Sequence, residues 1–280
     1  MDKTQTVNKV WQIVFVVLIA LFMGIIIFPF FWILVTSIKP TSEIFGEGAY
    51  AIYAGKAVGD HYQTVIFEKQ ILRAVLNSFV VAATTMVYVV SISILAAYAI
   101  SRFNFKGKNI LLGLILVISM FPQMIVVGPI YNLFTSLNLT NSYFVVLPYS
   151  TITLPAAVWI MVTHFNKIPL AIEESAKIDG ATPFETLTKV VFPLAAPGVF
   201  TTAIITFIAA WNEYLLTITL NTNKEYHTVP VAVSFLRSQF SILWGQVSAA
   251  TVVVTIPTLV IVLLFQKQIV SGLISGAVKE

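Results

Sequence analysis

The hydrophobic positions of this chain come in long runs, with no sustained two-residue or 3.6-residue alternation, and the polar positions collect between the runs. Apolar runs of this length satisfy their backbone groups within a helix and match the roughly 20 residues that cross a bilayer. The pattern predicts spans at about residues 10–38, 75–100, 109–128, 143–164, 198–220 and 246–265. Pro29 is placed to kink the first span and Lys39-Pro40 to end it. Pro122 falls inside the third, which stops at Gly128-Pro129; residues 130–137 are too short to cross and read as a helix lying on the outer face. Pro148 and Pro155 interrupt the fourth span and Pro257 the sixth. The predicted fold class is an all-α integral membrane protein with six transmembrane helices, its 280 residues forming one membrane domain.

The polar interruption between the fourth and fifth spans, residues 168–193, has the grammar of a helix, a tight turn and a second helix. Pro169 suits a first turn, and residues 170–179 then hold no Gly or Pro. Gly180 sits where a left-handed cap belongs. Thr182, Pro183 and Glu185 follow as N-cap, first-turn proline and third residue of a capping box. The second helix places Phe184, Leu187, Val190 and Val191 near one face, and Pro193 and Pro197 are placed to stop it. The residues alone describe either a rigid bent knob or an ordinary connecting loop with helical ends.

Composition agrees with the span pattern. Hydrophobic residues make up 58% of the chain and charged residues 10%, against roughly 25% charged in a soluble domain. Six spans put both termini on one side. That side carries Lys3, Lys9, Arg102, Lys106, Lys108, Lys167, Lys177, Lys189, Lys267 and Lys279 in short segments. The other carries Lys39, Lys56, Lys69, Arg73, Lys224 and Arg237 over longer loops. By the positive-inside rule the termini and the knob are cytoplasmic. The net charge of +4 belongs to this topology, and no basic stripe marks a nucleic-acid partner.

Candidate chemistry is sparse. There is no Cys, which excludes disulfides, thiol catalysis and thiolate metal sites. His61, His164 and His227 lie far apart without ligand spacing and read as polar side chains near span ends. Gly55-Lys56 is no phosphate-binding loop, since Tyr50 and Ala57 occupy the positions of its first Gly and its hydroxyl. No Gly-x-Ser-x-Gly elbow is present. Glu213, in Trp-Asn-Glu-Tyr, is the charged residue inside a predicted span, about 22 Å along the helix from Gly198. It must face the bundle interior or a wet cavity. Two readings stand: a pathway or gate residue with Asn212 beside it, or a polar clamp between helices.

Glu174-Ser175-Ala176, Gly180 and the Val190-Val191-Phe192-Pro193 run together resemble the EAA loop of the permeases of binding-protein-dependent ABC importers. Ser replaces the first Ala of that signature, Val its Ile and Phe its Leu. The Asn212-Glu213 pair with its aromatic flanks and the tail, residues 266–280, resemble carbohydrate permeases of the same family, maltose- or trehalose-type. The resemblance implies that residues 168–193 are a cytoplasmic coupling loop and that the chain is half of the membrane pathway for a di- or oligosaccharide. Glu173, Glu174, Ser175, Ala176, Asp179, Gly180 and Pro193 would couple to an ATPase, and Gly272, Gly276 and Lys279 of the tail would touch it. The implied partners are a second permease, two cytoplasmic ATP-binding subunits, an extracytoplasmic binding protein and membrane lipid. The chain itself would be no enzyme and hold no cofactor, with ATP and Mg on the partner subunits. The implied location is the cytoplasmic (inner) membrane of a bacterium or archaeon. Three other readings are a secondary transporter, which needs coupling residues near the midplane and paired half-repeats, an ABC permease for a non-sugar solute, and an intramembrane enzyme.

Overall fold

Long apolar runs become long helices, and the places where they break decide how the sites are built. The computed structural model describes residues 3–46, 48–237 and 242–277, with 3–10, 264, 265 and 267–277 described by their backbone alone. In chain order the helices are α1 (Lys3–Ile38), α2 (Thr41–Phe45), α3 (Asp60–Gln63), α4 (Ile71–Arg102), α5 (Lys108–Ser119), α6 (Gln123–Ser136), α7 (Val146–Asn166), α8 (Leu170–Ile178), α9 (Pro183–Glu185), α10 (Phe192–Trp211), α11 (Leu215–Leu220), α12 (Val229–Ser234) and α13 (Trp244–Ala277). Arg237 and Ile242 form an isolated antiparallel bridge. Five helical stretches are long and apolar enough to cross a membrane, and α5 with α6 makes a sixth if that bent pair is one span.

The chain divides into two compact units, Met1–Ile71 with Val233–Pro257 and Leu72–Ala232 with Thr258–Glu280. In the first, the end of α1 is fastened by Lys39, which is only 2% exposed. Its ammonium donates to the carbonyls of Gly48 (2.9 Å), Ala49 (3.3 Å) and Ala51 (2.7 Å), which take all three of its hydrogens. The Trp32 indole lies 5.1 Å from the same nitrogen. His61 Nε2 is 2.9 Å from the Lys39 carbonyl, and its ring presses on α13, where a Cβ on Gly245 would come within 2.3 Å of it. The positive group that ends the first span is therefore a structural staple.

In the second unit the core joins the end of α4 to α7, to the turns before α10 and to its start, through residues such as Ala97, Tyr98, Met161, Phe165, Val191 and Ala195. The loop before α12 is tied to the start of α4. The Asn77 amide donates to the carbonyls of Glu225 and His227 and accepts from the Tyr143 hydroxyl.

Four expectations from the sequence need correction. The third span is not one helix over residues 109–128: α5 and α6 meet at 92° across Met120–Pro122, and residues 130–137 belong to α6. Pro122 causes the break, because it has no N–H for the ladder, its own backbone is extended, and it disfavours helical backbone at the residue before it. The fifth span breaks at residues 212–214, between α10 and α11. Pro193 and Pro197 do not stop the second knob helix. The π-helical turns of Thr186–Val191 precede them, and a continuous helical stretch runs over Pro183–Trp211. Wider π turns reroute the carbonyls that proline cannot serve. Finally, α13 runs without a break through Gly272 and Gly276 to Ala277, so the predicted tail begins as a helix; Lys279 lies outside the described residues.

Candidate functional site

The bent knob of residues 168–193 is built as its local sequence dictates. After α7 ends at Asn166, three residues turn the chain into α8, with Pro169 as the N-cap. Gly180 closes α8 with φ +84°, the left-handed conformation that side chains with a Cβ resist. Its N–H donates to the Lys177 carbonyl (3.0 Å) and the Ala181 N–H to that of Ala176 (3.0 Å), the paired bonds of a Schellman cap. Thr182 and Glu185 then form the complete capping box. Lys189 donates to the same carboxylate at 2.9 Å. These bonds, the one from Lys189 first, hold the Glu185 carboxyl down at about 2. The box therefore keeps its charge through every physiological pH.

Side chains divide the knob into an inner and an outer face. Glu173, 2% exposed, points inward. Its Oε1 accepts from Arg102 Nε of α4 at 2.5 Å and its Oε2 from the Tyr98 hydroxyl at 3.3 Å. The same guanidinium donates through Nη2 to the carbonyls of Phe165 (2.9 Å) and Ile168 (3.2 Å), at the end of α7. One arginine thus fastens the end of α4, the end of α7 and the knob helix α8 together. Of the two adjacent carboxylates only Glu174 faces out, with Ser175 and Asp179; Ala176 is half-buried. Leu187 and Val191 are buried as the periodicity predicts, but Phe184 is 68% exposed, beside the turn that carries Ile178 at 87%. Pro193 is exposed at the start of α10. The outer face is a rigid tip with two large apolar side chains and two carboxylates.

The second candidate site surrounds Glu213, in the break between α10 and α11. Glu213 is 7% exposed, and its carboxylate accepts four hydrogen bonds from described residues. Gln123 Nε2 donates at 2.8 Å, the Leu216 N–H at 2.7 Å, and the Thr217 N–H and hydroxyl at 3.2 and 3.3 Å. The two backbone donors belong to the first turn of α11, and Gln123 is the first residue of α6. Glu213 therefore sits where two interrupted spans restart. The Tyr149 hydroxyl bonds the Thr217 hydroxyl and extends the network to α7. Asn212 turns the other way. It is exposed, and it lines a cavity of about 600 Å³ with Phe79, Met86, Phe207 and Trp211. Phe207 and Trp211 stack there with ring centres 5.7 Å apart.

Sequence reasoning placed the left-handed cap at Gly180 and the capping box where the structure has them, and singled out Asn212 and Glu213, which lie side by side but turn to different surroundings. It missed Arg102 as the partner of Glu173, 71 residues away, although Arg102 stood out as the first cation after the second span. Among the described residues no group of His, Asp and Glu could hold a metal ion.

Residues 89–274 match the family described as the binding-protein-dependent transport system inner membrane component. The chain is 40% identical over 266 residues to the trehalose transport system permease protein SugB of Mycobacterium tuberculosis, covering 94% of this chain and 96% of that one. It is 38% identical over 277 residues to the trehalose/maltose transport system permease protein MalG of Thermococcus litoralis, covering 97% and 99%. The fold matches a chain in the crystal structure of a bacterial ABC transporter involved in the import of the acidic polysaccharide alginate. The TM-score is 0.75 at 21% identity, over 95% of this chain and 98% of that one.

Proposed function

This chain belongs to the inner membrane components of binding-protein-dependent transport systems, multi-pass permeases of the inner membrane, and from that premise we propose that it forms half of the pathway of an ATP-driven sugar importer. A di- or oligosaccharide of the trehalose or maltose kind is the solute class, by nearly full-length similarity to permeases named for those sugars. A binding protein outside would deliver it. A second permease would complete the pathway, and two cytoplasmic ATP-binding subunits would supply the ATP chemistry. Both termini and the knob lie on the cytoplasmic side, by the distribution of Lys and Arg.

The observation that carries the mechanism is the knob, capped at its bend and pinned by Arg102 to the ends of α4 and α7. A partner that grips Ile178, Phe184, Glu174 and Asp179 at the tip moves a body joined to three spans. On the α10 side the helix runs on from the knob without a stop. On the α7 side, where the chain turns between Asn166 and Leu170, the guanidinium bridges the gap. Closure of the ATP-binding subunits would then rock the spans between inward- and outward-facing states. Asn212 and the aromatic cavity beside it are the part of the pathway wall assigned to this chain.

Reconstitution with its neighbouring permease, ATP-binding and binding-protein genes tests the reading. ATP-dependent uptake of labelled trehalose or maltose is the expected result, with hydrolysis stimulated by the loaded binding protein. Uptake driven by an ion gradient without ATP would make the chain a secondary transporter. ATP-driven uptake of another solute, with both sugars inert, would overturn the sugar class alone.

A further inference from the structure

The unit of Met1–Ile71 and Val233–Pro257 holds a cavity of about 520 Å³ where α1 ends and α13 begins. We propose that it binds the headgroup of an anionic phospholipid, with an acyl chain lying along α1 below it. Three features of the cavity select an anion. Lys39 and Arg237 line it, and no acidic side chain does so among the described residues. Glu43, next to the lining residues Ile44 and Phe45, accepts instead from the Gly55 N–H at 3.0 Å. Third, α13 turns one face to the space, with Trp244, Val247, Ser248 and Thr251, and so lines it with an indole and two hydroxyls and no carboxylate.

The two cations have different parts. All three hydrogens of Lys39 are taken by carbonyls, so it supplies a fixed charge and no free donor. Arg237 is exposed, and no described residue pairs with its guanidinium, which leaves its planar fork for a phosphate. Basic pockets between membrane helices hold lipid headgroups by this chemistry.

The tail of the ligand distinguishes a lipid from a sugar or free phosphate. An apolar groove of about 600 Å³ runs along the same α1, lined by Val17, Ala20, Leu21, Gly24, Ile25 and Phe28. Gly24 has no atom within 4 Å of where a Cβ would be, which leaves the groove open at its middle. Phe28 contacts Trp32 with ring centres 5.9 Å apart, and Trp32 lines the cavity above. Groove and cavity thus follow one another along one helix, with the Phe28–Trp32 contact between them. Trp32 and Trp244 both line the cavity, as indoles stand at the level of lipid headgroups. A soluble sugar or phosphate has no use for an apolar groove alongside its site.

Native mass spectrometry of the purified complex tests this independently of which solute is carried. After delipidation, the complex is titrated with phosphatidylglycerol, with phosphatidylcholine of the same chains, or with glycerol phosphate alone. The expected result is one phosphatidylglycerol held about tenfold more tightly than phosphatidylcholine, a preference lost in Arg237→Gln, with the assembly mass unchanged. Gly24→Trp, which fills the groove and leaves the cavity intact, weakens both lipids. Equal retention of the two lipids, or an unchanged preference in Arg237→Gln, overturns the proposal. Displacement of phosphatidylglycerol by equimolar glycerol phosphate overturns the lipid assignment and makes the site one for a soluble anion.

Discussion

At Gly180 the backbone adopts φ +84° with no atom within 4 Å of the missing Cβ, so a substitution there is resisted by the backbone alone. This makes the bend of the knob separable from its packing. Asn tolerates the left-handed region and a β-branched residue does not, at a cost of about 1–3 kcal/mol. Gly180→Asn is expected to transport as the wild type does, and Gly180→Val to keep membrane insertion while uptake falls. Parallel uptake and ATPase assays on the reconstituted complex check it; equal uptake by the two variants would remove the bend from the mechanism. This residue was legible in the sequence because a cap is a local device. Gly180, Thr182, Pro183 and Glu185 lie within six positions, and their bonds follow from their order.

Between elements the information is no longer local. Arg102 and Glu173 meet across 71 residues, and neither the apolar pattern nor the motif around Glu174 names the partner. The pair is almost fully buried, so removing one member leaves an unpaired charge and is expected to destabilise the knob by about 3–5 kcal/mol. Arg102→Lys is the more informative change. It keeps the charge for Glu173, but one ammonium cannot reproduce the fork that also reaches the Phe165 and Ile168 carbonyls. We expect Arg102→Lys to assemble and hydrolyse ATP while more ATP is consumed per solute transported, because α7 is released from the knob. An unchanged ratio would show that α8 alone transmits the motion. The span breaks escaped the sequence for a related reason. Residues 109–128 stay apolar through the first interruption, and in 198–220 the Asn212-Glu213 pair is too short to end an apolar run; hydropathy registers polarity and is blind to a change of direction. Pro122 was visible, but a proline within a span is as compatible with a kink as with a 92° turn.

For the molecule as a membrane-spanning pathway, what matters is how two interrupted spans are held together at membrane depth, where unpaired backbone groups are costly. Glu213 does this by accepting from the first turn of α11 and from Gln123 at the first position of α6. The four groups that meet its carboxylate, on three residues, are all donors. Glu213→Gln is therefore not a mild change. It turns one acceptor oxygen into an NH2 group facing donors, leaving buried groups unsatisfied at about 1–3 kcal/mol each. A pathway role that needs only polarity would tolerate that amide; a clamp would not. Asn212 supplies the comparison, since it lines the aromatic cavity and, among the described residues, its side chain bonds only the Ile208 carbonyl in the last turn of α10. Because the chain contains no Cys, Asn212→Cys can be labelled without background from this subunit. We expect Asn212→Cys to assemble normally and to react with small polar thiol reagents, its rate changing between nucleotide-free and nucleotide-trapped complexes. Glu213→Gln is expected to lower the thermal stability of the assembly and its uptake together. A stable, fully active Glu213→Gln complex would refute the clamp. An Asn212→Cys that stays unreactive in both states would take this cavity out of the pathway.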